Sequence, residues 1–542
     1  MTTDVEVTVT GLPFDQKAVS GVSISYGYNS IPVASVQLVA PYIEEEAKSF
    51  LCDPDSFKKQ TRDSNVTIKI KSKTGCIKFD GVFDGLSFSQ SPGGFSYAAI
   101  IKSKFQCMLE LYPKFIGIDP TSALPFKRIV TGAYDFSKGD DPYLAFEAVV
   151  KNVQAGGLTL VEYYIELIKV MIDTQAALVS NGPDSTFPIL EMLRDQRSKD
   201  NIERCRKLLA TVNLDFVKKI NVMGGKCGAY LADQVIASED TLWDTLMSSL
   251  DDMGCMLLPG NNKLFIIPKA NYLKQTGLSA PGFQEQATSP NIAYPSDFVS
   301  FSINDVSYRN IRACYVLPTI LDSNALIHDY KSQDLGSFPS ASGASDIQDD
   351  GSAGFLIVPA PQFIIKNLDG LYTRNDEVQQ GLKDKYAGDV VDDPDTVKDK
   401  YKSHIDEFKG DNVAIKPTMD RYAKSRFLQK KYSERGGTLI LNVLKPNWVP
   451  GTTGSVYTRH PGLFYSFFVN NVTHSVVLGN GNSGSATTTI SFNSCRYAGN
   501  GSKVPGTNSA DLYQYSSGDM ASVQQTWLSD VGANTIEDSN TD

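Results

Sequence analysis

The side chains best suited to chemistry are few in this chain and lie far apart. Only four of its 542 residues are histidines, and no H-x-H or H-E-x-x-H spacing that would hold a metal ion occurs. No G-x-S-x-G segment marks a nucleophilic serine. The sequence therefore predicts no catalytic, cofactor-binding or metal-binding residue, and the protein is expected not to be an enzyme. The histidines are His328, His404, His460 and His474.

His474 differs from the other three histidines because it lies inside a strong strand pattern, "NNVTHSVV". A histidine at such a position serves more often as a hydrogen-bonding group in a sheet than as a catalyst. We predict a hydrogen bond within or beside a barrel for its imidazole, with catalysis as the alternative.

The eight cysteines are scattered, without a C-x-x-C pair or a local histidine partner. This pattern indicates buried thiols in a reducing cytosol and argues against a zinc site or a disulfide framework. The net charge of -10 argues against non-specific nucleic-acid binding, which needs clustered Lys and Arg. No run approaches the roughly 18 apolar residues of a membrane helix, so no stable membrane insertion is expected.

The elements that must position these side chains are mostly strands. Short alternating runs separated by Gly and Pro fill residues 1–130 and predict a first β-barrel. A helical period replaces them in 131–230, where a basic stretch allows two interpretations, a surface for an anionic partner or a solvated face neutralised by its acidic neighbours. Residues 231–292 predict a small α+β unit, in which a helix is followed by the hairpin "CMLL"–"LFII".

Strand patterns return in 293–320 and 432–498 and predict a second barrel, interrupted by a polar and charged insertion at 321–431. A helix is expected to run through Gly436 and Gly437 into the strand "TLILNVL". In the last strand Thr487, Thr489 and Ser491 share one face, opposite Ile490. Residues 499–542 are polar and predict a C-terminal tail or arm. The fold class expected is multidomain, β-rich α+β.

The segment "KPNWVPGTTG", 445–454, ends the strand "TLILNVL" abruptly. Pro446 and Pro450 cannot donate ladder hydrogen bonds, and Gly451 permits a tight reversal. Trp448 between the prolines either plugs the end of the barrel or contacts a neighbouring subunit or spike. These four residues and His474 are the structural or interface candidates.

Several blocks together resemble bacteriophage tail baseplate hub proteins, a family related in fold to the N-terminal part of type VI secretion spike proteins. The C-terminal block joins "YAKSRFLQKKYSERGG" to "KPNWVPGTTG", "NNVTHSV" and a Thr-rich strand closing on "CRY". "VTVTGLPF" and "FDGVFDGLSFSQSPGGFSYAAIIKS" resemble the first tube domain, and "DTLWDTLMSSLDDMGCMLLPGNNKLFIIPK" the small domain between the barrels.

The resemblance implies a homotrimer in which each chain gives two tube-like barrels, so that a ring of pseudo-six-fold symmetry joins the tail tube to the central spike. The implied partners are a tail tube or distal tail protein, the spike, and baseplate wedge or peripheral proteins, while DNA passes the channel without specific binding. The implied location is the virion, after synthesis in the bacterial host cytoplasm. Two alternatives stay open: the hub of a non-viral contractile injection or secretion system, and a cell-wall-degrading tail enzyme with its site in 131–230 or 321–431.

Overall fold

The computed structural model describes sixteen stretches of the chain. They are residues 3–39, 42–56, 64–91, 94–112, 160–181, 195–214, 240–252, 255–268, 292–305, 311–317, 337–338, 354–359, 435–458, 463–479, 483–500 and 525–533. His328, His404, His460 and Cys227 lie outside them, as does nearly all of the predicted insertion.

Most described strands belong to one twelve-stranded sheet that is almost wholly antiparallel. The protein is thus β-rich with few helices, as predicted. Its strands are β1 (Thr3–Thr10), β2 (Val19–Gly27), β3 (Ser30–Leu38), β4 (Asn65–Ser72), β5 (Gly75–Ser91), β6 (Gly94–Ser103), β9 (Ile292–Ala293), β10 (Phe298–Asp305), β14 (Arg435–Leu441), β15 (Thr453–Tyr457), β16 (Leu463–Leu478) and β17 (Ser483–Asn500). The hairpin of β7 (Cys255–Pro259) and β8 (Leu264–Pro268) forms a separate sheet.

Eight strands close into a ring, in the order β17-β1-β4-β5-β6-β3-β2-β16, because β16 also pairs with β17. The closing contacts between β1 and β17 are short, Thr3 opposite Gly484 and Asp4 opposite Ser483. A ring of eight strands has an interior just wide enough for side chains to fill. The inward positions are accordingly apolar and fully buried, among them Ile24, Tyr26, Ala34, Val36, Ile68, Ile70, Phe79, Ala99 and Ile101.

The second unit uses the other ends of the same two long strands, in the order β10-β14-β17-β16-β15-β9. Its edge strands β9 and β10 are joined by residues 294–297 alone, so the sheet must curve until its edges are near each other. It has a hydrophobic core of its own. That core contains Ala293, Leu439, Leu441, Trp448, Val456, Phe467, Val469, Val472, Ile490, Phe492 and Cys495.

The strands β16 and β17, of 16 and 18 residues, therefore belong to both barrel units. The boundaries 1–130 and 293–320 plus 432–498 remain a prediction, but the first ring closes only with strands from the C-terminal part of the chain. Within 293–320, β11 (Ile311–Leu317) pairs with β12 (Ser337–Phe338) and β13 (Gly354–Pro359) in a separate small sheet.

The helices pack around one end of the first barrel and the β7–β8 hairpin. They are α1 (Glu44–Cys52), α2 (Leu160–Asn181), α3 (Gln196–Ala210) and α4 (Leu242–Asp252), with short 3₁₀ helices at Gln16–Ala18 and Lys104–Leu109. In α2 the helically spaced Val161, Ile165, Ile168 and Ile172 are all buried. Three basic residues of α3 have acidic neighbours: Arg206 Nε lies 2.6 Å from Asp173 Oδ1 of α2, Arg197 lies 3.7 Å from Glu110, and Lys207 lies 3.5 Å from Glu203. These pairs are typical of a solvated face, but Arg197, Arg204 and Lys207 also line a cavity, so both interpretations of the basic stretch stay open.

Residues 525–533 pack against the first barrel and the hairpin, although they fall in the stretch expected to be a tail or arm. A helix over 525–530, α5, buries Trp527, whose indole N–H donates to the carbonyl of Pro259 at 3.1 Å. Asp530 Oδ2 accepts from three backbone N–H groups of the β7–β8 turn, those of Asn261, Asn262 and Lys263, at 2.7, 2.9 and 3.2 Å.

The prediction that a helix continues through Gly436 and Gly437 is wrong, because both residues lie in β14, which begins at Arg435. A Cβ on Gly437 would lie within 1.9 Å of Ser302 O and 2.7 Å of the Phe492 ring. The glycine is thus required by close strand packing and does not end a helix.

Candidate functional site

The turn after β14 carries the four candidate residues 446, 448, 450 and 451, and it folds back onto β16. The N–H of Gly451 donates to Val469 O at 2.8 Å, and the N–H of Val469 donates to Thr452 O at 2.9 Å. Gly451 has φ of +76°, a conformation that glycine adopts without strain. Pro446 and Pro450 are buried beside it. The prolines and glycine thus form a turn that is bonded to the next strand.

Trp448 lies in the core of the second barrel unit and is only 1% exposed. Its ring stacks on Phe467 with 6.1 Å between centroids and 9° between planes. A Cβ on Gly454 would come within 2.4 Å of the indole, so a glycine is needed there. The indole is thus packed inside this chain's own core, and a contact of Trp448 with a neighbouring subunit or spike stays a prediction.

His474 lies on β16 at the level where the two cores meet. Along the same face, Val472 packs in the second core and Val476 in the first. Its cross-strand partner on β17 is Thr488, and His474 Nδ1 lies 3.1 Å from Thr488 Oγ1. Both residues are fully buried.

The Thr488 hydroxyl also bonds to the start of the "KPNWVPGTTG" segment. It donates to Val443 O at 3.1 Å and accepts from the N–H of Lys445 at 2.9 Å. Since a hydroxyl has one proton to donate and two lone pairs, His474 Nδ1 must be the protonated nitrogen that donates to it. We name His474, Thr488, Val443 O and Lys445 N the polar node. Through it, His474 is connected to the "KPNWVPGTTG" segment, two features that the sequence analysis singled out independently.

The other imidazole nitrogen, Nε2, is buried and finds no partner among the described residues. Burial lowers the pKa of His474 to about 3, because a charged imidazolium would lose its hydration there. The histidine is therefore neutral at pH 7, and its buried position offers no substrate access. Its geometry is that of a structural hydrogen-bonding group.

The opposite face of the same strands points outward and is rich in hydroxyl and amide groups. The strand registers place these residues in rows that cross from β10 to β3, for example Ser302–Thr438–Ser491–Asn471 and Thr489–Thr473–Ser25. Hydrogen bonds link neighbours in the rows, such as Ser23 Oγ to Ser475 Oγ at 3.1 Å and Ser25 Oγ to Asn471 Oδ1 at 3.0 Å.

The outward residues of these rows, which run from Ser302–Asn471 to Ser475–Ser23, carry no charged side chain. We name this surface the uncharged face. Its members include Ser23, Ser25, Ser35, Gln37, Ser300, Ser302, Asn304, Thr438, Asn471, Thr473, Ser475, Thr487, Thr489 and Ser491.

Charges return on the far side of the first ring. There Glu6 of β1 lies opposite Lys71 of β4, and Lys102 of β6 pairs with Asp84 of β5 at 3.0 Å. The chain is 21% charged, so a six-strand face without charge is not what an ordinary solvated surface would show. The alternation at Thr487, Thr489 and Ser491 was visible in sequence, but its continuation over neighbouring strands was not.

The described stretches hold no cluster of metal-ligating side chains. No three His, Cys, Asp or Glu side chains there lie together in a group that could hold a metal ion. None of the described helices combines the length and apolar character needed to cross a membrane.

No protein-family model matches the chain, and no curated protein sequence matches it significantly. Among solved structures, it is similar to the tail protein from Neisseria meningitidis MC58, at 8% identity and a TM-score of 0.39 over 91% of this chain and 96% of the other. The 43 kDa tail protein of prophage MuSo2 from Shewanella oneidensis gives 8% identity and a TM-score of 0.37 over 91% and 98% of the two chains.

A type VI secretion component of E. coli, described as similar to the T4 tail proteins gp27 and gp5, gives 7% identity and a TM-score of 0.29 over 94% and 80%. These neighbours are of the same class as the baseplate hub family that the sequence motifs resemble. Because every one of these TM-scores lies below 0.5, the likeness carries no argument about the function of this chain.

Proposed function

We propose that this protein is the structural hub of a phage tail baseplate, a trimeric ring of pseudo-six-fold symmetry that joins the tail tube to the central spike. The observation that carries the proposal is the pair of barrel units that share β16 and β17 in one continuous sheet with an uncharged outer face. The sequence resemblance to baseplate hubs gives the class of assembly.

Two barrel units per chain give six units in a trimer. Such a ring presents six similar units to a six-fold tube and three identical chains to a three-fold spike. The shared strands hold the two units of each chain in fixed relation, which an adaptor that transmits force between tube and spike requires.

The uncharged face suits the wall of the channel through which DNA passes. Double-stranded DNA binds non-specifically through Lys and Arg that displace its counterions. A wall of hydroxyl and amide groups offers no such attraction, so the DNA can move along it. The partners of the hub are then a tail tube or distal tail protein, the spike, and wedge or peripheral proteins, and its location is the virion.

We also propose that the protein has no catalytic activity. The neutral, enclosed His474 supports this proposal, because its environment does not prepare it for proton transfer. Incubation of the purified protein with bacterial cell walls is expected to release no soluble fragments. Lysis that is lost when acidic residues in 131–230 or 321–431 are replaced would establish an enzyme instead.

The mass and symmetry of the purified particle test the hub directly. Light scattering is expected to give three times the chain mass of 59.2 kDa, and negative-stain class averages are expected to show a three-fold ring with a central channel. The measurement is repeated over a tenfold range of protein concentration. A ring that dissociates on dilution should still be detected as a trimer at the highest concentration. A monomer at every concentration would overturn the proposal.

A further inference from the structure

Two buried thiols lie side by side where the helices meet the first barrel. Cys107 belongs to the 3₁₀ helix Lys104–Leu109 that follows β6, and Cys205 lies in the middle of α3. Their sulfur atoms are 3.5 Å apart, and the two residues are 98 positions apart in sequence. Cys107 is 7% exposed and Cys205 0%. Both are free thiols.

The two sulfur atoms are not equivalent. The Cys205 thiol donates a hydrogen bond to Cys107 Sγ and is the more deeply buried of the two. That hydrogen bond, together with burial, raises the pKa of Cys205. Cys205 is therefore poorly placed to react first, and Cys107 is the thiol of the pair that retains some exposure.

A cavity of about 570 Å³ leads to Cys107 and not to Cys205. Basic side chains outnumber acidic ones in its wall, with Lys102, Lys104, Arg197, Arg204 and Lys207 against Asp84 and Glu110. An anionic, disulfide-containing small molecule such as oxidised glutathione fits the charge of this entrance.

We propose that Cys107 and Cys205 are an oxidisable pair, in which Cys107 attacks a small disulfide and Cys205 resolves the product into an intramolecular disulfide. Cys107 loses its proton to solvent, and its thiolate attacks one sulfur of oxidised glutathione; the S–S bond of glutathione breaks, and one glutathione leaves as a thiolate. Cys205 then loses its proton and attacks Cys107 Sγ, and the second glutathione leaves. Two protein thiols are oxidised and one glutathione disulfide is reduced to two thiols.

The new bond would tie α3 covalently to the end of the first barrel. At present non-covalent contacts hold this junction, among them Arg197 with Glu110 at 3.7 Å. The inference stands on the geometry of the thiol pair and is independent of the proposed function. In a tail protein made in a reducing cytoplasm, the bond would form after release from the cell.

Peptide mapping of the native protein after treatment with oxidised glutathione tests the pair. We expect a 107–205 cross-linked peptide, loss of the mass of two hydrogen atoms, and full reversal by dithiothreitol. Because this measurement uses the wild-type protein, its result does not depend on whether a variant folds. A native protein that retains both thiols while the exposed Cys52 reacts would overturn the proposal, as would a cross-link that forms only in denaturant.

Single substitutions separate the two roles. Cys205→Ala should accumulate glutathione on Cys107, because no resolving thiol remains, whereas Cys107→Ala should leave Cys205 unmodified. Cys52→Ala is the matched control and should keep the cross-link, since Cys52 is exposed and lies in α1. Glutathione found on Cys205 of the Cys107→Ala variant would contradict the order of attack.

Discussion

One hydroxyl, Thr488 Oγ1, lies within hydrogen-bond distance of three groups. They are the imidazole of His474 on β16, and the carbonyl of Val443 and the N–H of Lys445 in the segment after β14. The node sits where the core of the first barrel ends and that of the second begins. A polar contact at this depth stabilises the fold only if each member is satisfied, because an unpaired buried group costs more than the bond gains. Here Thr488 satisfies three partners at once, while Nε2 of His474 has no partner among the described residues.

Thr488→Val should lower the free energy of unfolding by about 3 kcal/mol, since the substitution keeps the shape and leaves His474 Nδ1, Val443 O and Lys445 N without a partner. Denaturant unfolding followed by tryptophan fluorescence measures this. Thr489→Val is the matched control, because its side chain lies on the uncharged face and should change stability by less than about 0.5 kcal/mol. Equal losses in both variants would contradict the role of the node.

The depressed pKa of His474 predicts a loss of stability in mild acid. In the unfolded chain this histidine takes up a proton near pH 6.5, while in the folded chain it stays neutral down to about pH 3. Its contribution is therefore fully present above pH 6.5 and is lost as the pH falls from 6.5 towards 3, with a slope of up to about 1.4 kcal/mol per pH unit.

His474→Asn removes this titration and can still donate to Thr488. Unfolding free energies measured at pH 7, 6 and 5 should fall less steeply for the variant than for the wild type. Equal slopes for the variant and the wild type would mean that His474 also takes up a proton in the folded protein. That result would contradict a neutral His474 in the polar node.

At the scale of elements, α5 and the residue that follows it connect the β7–β8 turn to β5 through hydrogen bonds. Trp527 fills the space beside Tyr26, with 5.3 Å between ring centroids, and Val531 O accepts from the N–H of Lys78. The carboxylate of Asp530 sits in a nest of three turn amides, a geometry that binds anions.

Asp530→Asn should release this turn, because an amide oxygen binds the three N–H groups more weakly than a carboxylate does. Hydrogen exchange of the Asn261, Asn262 and Lys263 amides should accelerate about tenfold, the kinetic equivalent of about 1.4 kcal/mol. Ser529→Ala, a change at an exposed position of the same helix, should leave the exchange unaltered. Unchanged exchange rates in Asp530→Asn would show that the β7–β8 turn keeps its conformation without the carboxylate of Asp530.

Local pattern was sufficient to predict several elements. The alternating runs within residues 1–130 predict strands and the helical period within 131–230 predicts a helix, and β2, β3, β4 and α2 are found there with buried residues at those spacings. Such patterns record which face of an element is apolar, and the burial follows from that alone.

Strand partners could not be predicted in the same way. The pairing of β1 with β17 joins residues some 480 positions apart, and periodicity holds no information on such contacts. Likewise the sequence predicts a helix that runs through Gly436 and Gly437 into the strand, because the close approach of Ser302 that requires a glycine at 437 is a tertiary contact. The polar node and the continuous uncharged face were missed for the same reason.

At the scale of the whole molecule, the distribution of charge is the feature most closely tied to the proposed function. The face of six strands is neutral, while the charged pairs of the first ring lie on the β1–β4 side and between β5 and β6. In the proposed ring, the neutral side faces DNA and the charged side faces solvent or other proteins.

The pair Thr487→Lys with Ser491→Lys adds two positive charges to the uncharged face, and the assembled ring should bind DNA at least about tenfold more tightly at low salt than the wild type. Fluorescence anisotropy over a salt series measures the affinity. Thr8→Lys with Thr10→Lys adds the same charge on β1, away from this face, and serves as the control. Equal DNA affinity of the two double variants would show that the uncharged face does not line the channel.

The sharing of β16 and β17 also fixes an order of events during synthesis. β1 and β2 leave the ribosome first, but their partners in the ring are made only after residue 463. At about 5–20 residues per second, the roughly 400 residues between the end of β6 and the end of β17 take about 20–80 s, during which the N-terminal sheet has unpaired edges. Unpaired edges of this kind are templates for pairing with other chains, so the unclosed sheet is open to aggregation during this interval. The first barrel therefore cannot close before β16 and the beginning of β17 have been made, although its other six strands lie at the N-terminus.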